Sequence, residues 1–260
     1  YTQSGQIFRA KTRAMEKLLC KFFSPGSTNK NPYTMDYPGG LQLIYPTGPI
    51  RLSPSNLISI KNESSNSDEV SDTWGWWTRD SDTDLYKGLE EGLECIAHVI
   101  YENNGIDGVI GFSQGAAAAA LVASLLEPER PHAFEKMLDK EKRALPFPEA
   151  WRNLASLCPD GLKFAVAYSG FLPSHSAYQA FFEPSIQTPF LHFIGMLDSV
   201  VSEERTLALV DKCAVEKRKV VFHQGAHFVP TSKQMTEVLI KFIQDCLKVQ
   251  MSSSVSSTTS

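Results

Sequence analysis

Apolar and polar positions along this chain alternate between two periods, one near 3.6 residues and one of short unbroken apolar runs. Leu89, Leu93, Ile96, Ala97 and Ile100 recur at helical spacing and predict a helix over about Thr83 to Tyr101. The apolar run Gly108-Val109-Ile110 follows as a strand, and an alanine-rich stretch from Ala116 to Leu126 follows as a helix. Farther on, Thr188 to Gly195 is a proline-started apolar strand, Lys219 to His223 is a second one, and Ser232 to Lys248 is a closing helix. The chain opens with a helix over Ile7 to Phe23 and a strand over Leu41 to Tyr45, which Pro46-Thr47-Gly48-Pro49 ends. Strands alternating with helices predict an α/β fold built on a mostly parallel, doubly wound sheet.

Three stretches break this rhythm. Lys61 to Asp72 is rich in Ser, Asn and acids and predicts a mobile loop, which runs directly into the aromatic cluster Trp74-Gly75-Trp76-Trp77. Glu127 to Asp160 mixes charges with prolines and is a candidate cap over a site. Met251 to Ser260 is almost all Ser and Thr and predicts a disordered tail after a single domain spanning 1–250.

Composition narrows the function classes. With 260 residues, 42% apolar and 21% charged, the chain is large enough for one sizeable core. A net charge of −4, with no basic run interleaved with aromatics, argues against nucleic acid as a partner. The five cysteines are scattered and lack C-x-x-C spacing, which predicts neither a disulfide framework nor a zinc site. They read as reduced thiols of a cytoplasmic protein, with the nucleus a second candidate compartment. No apolar stretch is long enough to span a bilayer and no signal-peptide pattern is visible. Asn62-Glu63-Ser64 matches a glycosylation sequon that such a compartment would leave unused.

The chemistry is concentrated at Gly111-Phe112-Ser113-Gln114-Gly115, which lies between the predicted strand and the alanine helix. In a strand-turn-helix setting, G-x-S-x-G puts a serine on a sharp turn with its hydroxyl raised above the sheet, and the flanking glycines spare the backbone a clash. Outside that setting Ser113 would be a helix-opening turn residue. A nucleophilic serine needs a base held by an acid, following it in the order acid, then histidine. Asp198 lies just past the strand ending at Gly195, and His227 lies on the glycine-containing loop after His223. All three fall at carboxyl ends of strands, where open parallel sheets gather ligand groups. Asp198 has capping as its ordinary alternative, and Glu203, Glu204 and Asp211 compete from a helix behind it. His223 competes with His227, and the pair has the H-x-x-x-H spacing of a zinc helix, but Gly225 and the preceding strand argue against that helix, so no metal is expected. No glycine cluster has a phosphate-binding pattern, and no cofactor is expected.

Several segments together resemble the fungal family of serine hydrolases, whose animal relative is the ovarian-cancer-associated serine hydrolase. They are Tyr45-Pro46-Thr47-Gly48-Pro49, Gly75-Trp76-Trp77, Ile106 to Ala116, Tyr168-Ser169-Gly170-Phe171, Leu191 to Asp198, and Gly225-Ala226-His227-Phe228-Val229-Pro230. The resemblance implies an α/β-hydrolase fold, cofactor-free hydrolysis of small carboxylic esters or thioesters, and Ser113, Asp198 and His227 as the catalytic residues. It also implies an oxyanion hole from the backbone N–H of Gln114 and the nitrogen of Tyr1, and an apolar acyl pocket walled by some of Trp76, Trp77, Phe112 and Phe171. Members of the family open with an apolar strand ending in His-Gly, whereas this chain opens at Tyr1-Thr2-Gln3-Ser4-Gly5. The expectation is a chain lacking roughly ten residues and one central strand beside the nucleophile strand, at an element length typical of short strands. Two further readings stay open: a thioesterase with an acyl carrier protein as partner, and a non-catalytic binding protein if the chain truly begins here.

Overall fold

The computed structural model describes residues 1–24, 37, 39–53, 72–141 and 144–255, with side chains through residue 247. The Ser/Asn-rich stretch up to residue 71, the Asn62 sequon and the final residues 256–260 lie outside the described residues.

Helix α1 (Gly5–Phe22) starts where Ser4 accepts a hydrogen bond from the Ile7 N–H, and it buries Met15 and Leu19. Two short antiparallel strand pairs follow, β1 (Ile50–Arg51) with β2 (Trp74–Gly75), and β3 (Thr78–Arg79) with β4 (Tyr86–Lys87). Helix α2 (Leu89–Glu102) begins six residues later than the periodicity suggests. The reason is local: the Asp80 carboxylate accepts from the N–H groups of Asp82 and Thr83 and from the Thr83 hydroxyl, which holds a turn and delivers Tyr86 and Lys87 to the second pair. Gly88, at φ 79°, then lets the chain swing into the helix.

The main sheet holds β5 (Gly108–Phe112), β6 (Phe164–Tyr168), β7 (Phe190–Gly195) and β8 (Arg218–His223), in that spatial order and all parallel. Between them run α3 (Gln114–Leu125), α4 (Arg130–Lys140), α5 (Glu149–Arg152), a 3₁₀ turn (Ser176–Phe181) and α6 (Glu203–Val210); α7 (Lys233–Val255) closes the chain. Helix α7 thus continues past residue 250, into the stretch expected as tail, since an established helix extends by one hydrogen bond per added residue.

The period of two in β6 sorts its side chains onto two cores. Phe164, Val166 and Tyr168 pack with Leu191 and Phe193 of β7 against α1 and α7. Ala165 and Ala167 face the other way, toward α3 and α2. Small side chains on that face let the alanine surface of α3 lie close to the sheet, and Ala116 to Ala120 are essentially fully buried. A larger side chain would need room this packing lacks, at about 1–3 kcal/mol. The segment Glu127 to Asp160, expected as a candidate cap, sends side chains into the core: Phe134 meets Phe147 and Phe181 edge-on at 5.3 and 4.8 Å, and Trp151 and Leu154 are buried.

Leu41 to Tyr45, expected as a strand, forms no ladder. It lines a cavity of about 480 Å³ together with residues of β5. Among the described residues β5 is paired on one edge only, with β6, and Leu41 to Tyr45, across the cavity they line together, do not pair with it.

Candidate active site

Ser113 follows β5 directly and caps α3, with φ 54° and ψ −119°, in a region that side-chain-bearing residues rarely adopt. The turn is held on both sides. The Ser113 N–H donates to the Tyr168 carbonyl at 2.9 Å, and the Ser113 carbonyl accepts from Ala116 and Ala117 at 2.9 and 3.1 Å. Gly111 is required by close approach, since a Cβ there would sit 2.0 Å from the Gly115 carbonyl oxygen. Gly115 is different: a Cβ there would only touch Trp76 Nε1 at 3.8 Å, so the second glycine of the motif is not sterically required by its surroundings.

His227 arrives on the loop after β8. Its Nε2 is 3.0 Å from Ser113 Oγ, and its Nδ1 is 2.8 Å from Asp198 Oδ2. The Asp198 side chain is 1% exposed and that of His227 is 19% exposed, so the acid is sealed while the ring stays open toward solvent. The second carboxylate oxygen, Oδ1, accepts from the Val200 and Val201 N–H groups, both at 2.9 Å. Burial works to raise the Asp198 pKa, but hydrogen bonds from His227 and the Val201 N–H, the nearby Ser169 side chain and the attraction of the His227 ring outweigh it and hold the pKa below the ordinary value. With Asp198 ionised, Nδ1 of His227 carries the proton and Nε2 is the acceptor facing Ser113.

Acid and histidine meet because the loops after β7 and β8 are laced together. Met196 N–H donates to the His223 carbonyl at 2.9 Å and Leu197 N–H to the Gly225 carbonyl at 3.0 Å. Gly195 allows this approach, as a Cβ there would lie 2.7 Å from the Ala226 carbonyl oxygen. His223 is bonded to the loop and not to Ser113. It is buried, its Nδ1 accepts from the Gly225 N–H at 3.2 Å, and burial lowers its pKa.

Four of the residues expected from sequence thus come together: Ser113, Asp198, His227 and Phe112, whose ring centroid is 4.7 Å from that of His227. Gln114 is buried, and its side chain ties the turn to the aromatic cluster, accepting from Trp76 N–H at 2.8 Å and donating to the Trp77 carbonyl at 2.9 Å. No sequence pattern announces that bridge; the motif marks the position for its backbone and says nothing of the amide. Trp76 is half-buried, while Trp77 is 2% exposed and stacks on Tyr86 at 5.0 Å within the core. Phe171 lies under the Arg205 guanidinium at 4.9 Å. The Tyr1 ring lies against Gly75. Ser169 is a residue that sequence reasoning misses, although it stands between the strand ends that carry Ser113 and Asp198.

Comparisons with known proteins agree with this geometry in kind. The family model described as Serine hydrolase (FSH1) matches residues 1–239. The chain is 30% identical to Family of serine hydrolases 3 of Saccharomyces cerevisiae, over 94% of this chain and 80% of that protein. It is 26% identical to Esterase OVCA2 of Danio rerio, over 94% of this chain and 93% of that one. Among solved structures, a single-residue variant of Arabidopsis thaliana SOBER1 superposes with a TM-score of 0.51 at 13% identity, covering 95% of each chain, a likeness of fold. No helix among the described residues is long and apolar enough to cross a membrane. A family match running nearly end to end, on an α/β-hydrolase sheet, is decisive: the chain belongs to the FSH1 family and is a serine hydrolase.

Proposed function

We propose that the protein hydrolyses carboxylic esters or thioesters by two-step acyl transfer through Ser113. The observation that carries this is the unbroken path from Ser113 Oγ to His227 at 3.0 Å and from His227 to Asp198 at 2.8 Å. His227 Nε2 takes the hydroxyl proton as Oγ attacks the acyl carbonyl carbon. Asp198 keeps the ring in the acceptor tautomer and stabilises the imidazolium. The imidazolium then protonates the leaving alkoxide or thiolate as the C–O or C–S bond breaks. A water entering from the exposed side of the ring gives its proton to His227, and its oxygen bonds to the acyl carbon. Oγ leaves with the proton, and the acid is released.

The tetrahedral oxyanion needs donors already in place. The Gln114 N–H, in the first turn of α3, is one, helped by the positive end of that helix. For the other we assign the Tyr1 nitrogen, on a residue that lines a cavity together with Phe112 and Gly115 next to the nucleophile. Phe112 and Phe171, with Trp76 held by Gln114, are the apolar wall we assign to the acyl group; Trp77 backs it from the core.

A fluorophosphonate probe tests the reading. Wild type should be labelled at Ser113 and the label should be lost in Ser113→Ala, with hydrolysis of p-nitrophenyl and thioester acyl series lost in parallel. Labelling elsewhere, or hydrolysis persisting in Ser113→Ala, would overturn it.

A further inference from the structure

Two neighbouring strands of the sheet, β5 and β6, finish in the same unusual way. Ser113 after β5 has φ 54°, and Ser169 after β6 has φ 50°. Phe112 pairs with Tyr168, and Tyr168 with Phe193, so Ser169 is in register between Ser113 and Ile194. Its N–H donates to the Phe193 carbonyl at 3.0 Å, while the carbonyl before it receives the Ser113 N–H. A serine in left-handed backbone costs on the order of 1–3 kcal/mol and persists only where its surroundings enforce it. Ser169 is 1% exposed, and its hydroxyl is buried without completing a hydrogen bond. A buried hydroxyl in that state is itself costly.

The Asp198 carboxylate supplies the missing acceptor. Oδ1 already accepts two backbone N–H groups, whereas Oδ2 accepts His227 alone among the described residues. A carboxylate oxygen has two acceptor positions, so one on Oδ2 remains. Ser169 is among the groups that hold Asp198 in its charged form, which puts its hydroxyl beside that carboxylate.

We infer that Ser169 is a positioning residue for the acid: its hydroxyl donates to the open position of Asp198 Oδ2 and fixes the carboxylate against His227 during turnover. The inference rests on the acyl-transfer reading above. As His227 becomes cationic, Asp198 must stay ionised and in line, and a donor on the same oxygen as the histidine prevents it from rotating away. The other titratable groups facing Asp198 are His227 and His223, both from the end of β8 and its loop. On the α6 side the neighbouring charge is Arg205, which donates to the Val200 carbonyl at 3.3 Å.

The experiment compares Ser169→Ala and Ser169→Gly with wild type in kcat, KM, the pH profile of kcat/KM, and unfolding midpoint. Both variants lose the hydroxyl, but Gly alone removes the backbone strain. We expect both to lower kcat by about tenfold, the scale of one lost hydrogen bond to a charged group, with KM nearly unchanged. The acid limb of the profile should move to higher pH in both, because a less neutralised carboxylate makes the coupled pair more basic. In an Asp198→Asn background, Ser169→Ala should have almost no further effect on kcat. A pH profile that stays in place, or an equal Ser169→Ala effect with Asp198→Asn present, would overturn the inference. So would a kcat loss in Ser169→Ala that Ser169→Gly restores. Ser113→Ala run alongside keeps the two readings apart: if it abolishes hydrolysis while Ser169→Ala changes nothing, only the role of Ser169 fails.

Discussion

His223 and His227 are four residues apart, and the turn through Gly225 gives their rings different work. His227 faces Ser113, and His223 accepts from the Gly225 backbone, fastening the loop that carries its neighbour. We expect Ser113→Ala and His227→Ala each to lower kcat at least a thousandfold, in keeping with removals of single members of such units, at wild-type unfolding midpoint. His223→Ala should retain activity within about tenfold of wild type while lowering the midpoint, because it loosens the loop without touching the proton path; purified variants assayed on one ester, with urea unfolding alongside, decide between these outcomes. The order serine, acid, histidine is legible in the chain because each residue ends a recognisable strand and local spacing places it on one edge of the sheet. Ser169 is not legible as a partner, because its meaning depends on register across three strands and on a lone acceptor position that no local pattern records.

At the scale of elements, small residues decide how closely helix and sheet approach, and ion pairs decide where connections are pinned. Ala165 and Ala167 meeting the alanine face of α3 can be anticipated in kind from composition. The late start of α2 and the missing ladder at Leu41 to Tyr45 cannot, since the first depends on the Asp80 turn and the second on the absence of a paired neighbour among the described residues. The pin ahead of β7 is Arg130, 1% exposed, which bonds the Pro184 and Ala180 carbonyls at 2.7 and 3.3 Å and pairs with Glu127. Glu127 in turn accepts from the Thr188 N–H at 3.0 Å. Removing Arg130 leaves the mostly buried Glu127 carboxylate and the buried Ala180 carbonyl uncompensated. We therefore expect Arg130→Ala to cost about 3–5 kcal/mol in urea unfolding. In conditions where the variant stays folded, its KM and the label at Ser113 should match wild type, since the clamp lies on the α4 side of the sheet. A cost under about 1 kcal/mol would mean that water replaces the clamp.

For the molecule as a whole, acid sensitivity should come from a histidine far from the chemistry. His192, in β7, is fully buried, stacks on Phe190 at 4.4 Å, and its Nε2 is 3.6 Å from the Cys213 thiol. Burial, with the nearby Arg218 charge, lowers its pKa from 6.5 to about 3. Below pH 6.5 the unfolded chain therefore binds a proton that the native chain refuses until about pH 3. Stability from this group is complete above the unfolded pKa and declines as pH falls through the window between the two values, at roughly 1 kcal/mol per pH unit for one proton. His223, lowered in the same direction by burial, adds to the decline. Asp198, whose folded pKa is also depressed, adds only at lower pH, near the ordinary carboxylate range. The interval from about 6.5 down to about 4.5 thus isolates the histidines. Urea midpoints measured across it should fall steadily for wild type. His192→Leu keeps an apolar side chain of similar bulk against Phe190, and its curve should be distinctly flatter, rising progressively above wild type as pH falls. Parallel curves would show that water or a rearranged core lets His192 take its proton without unfolding.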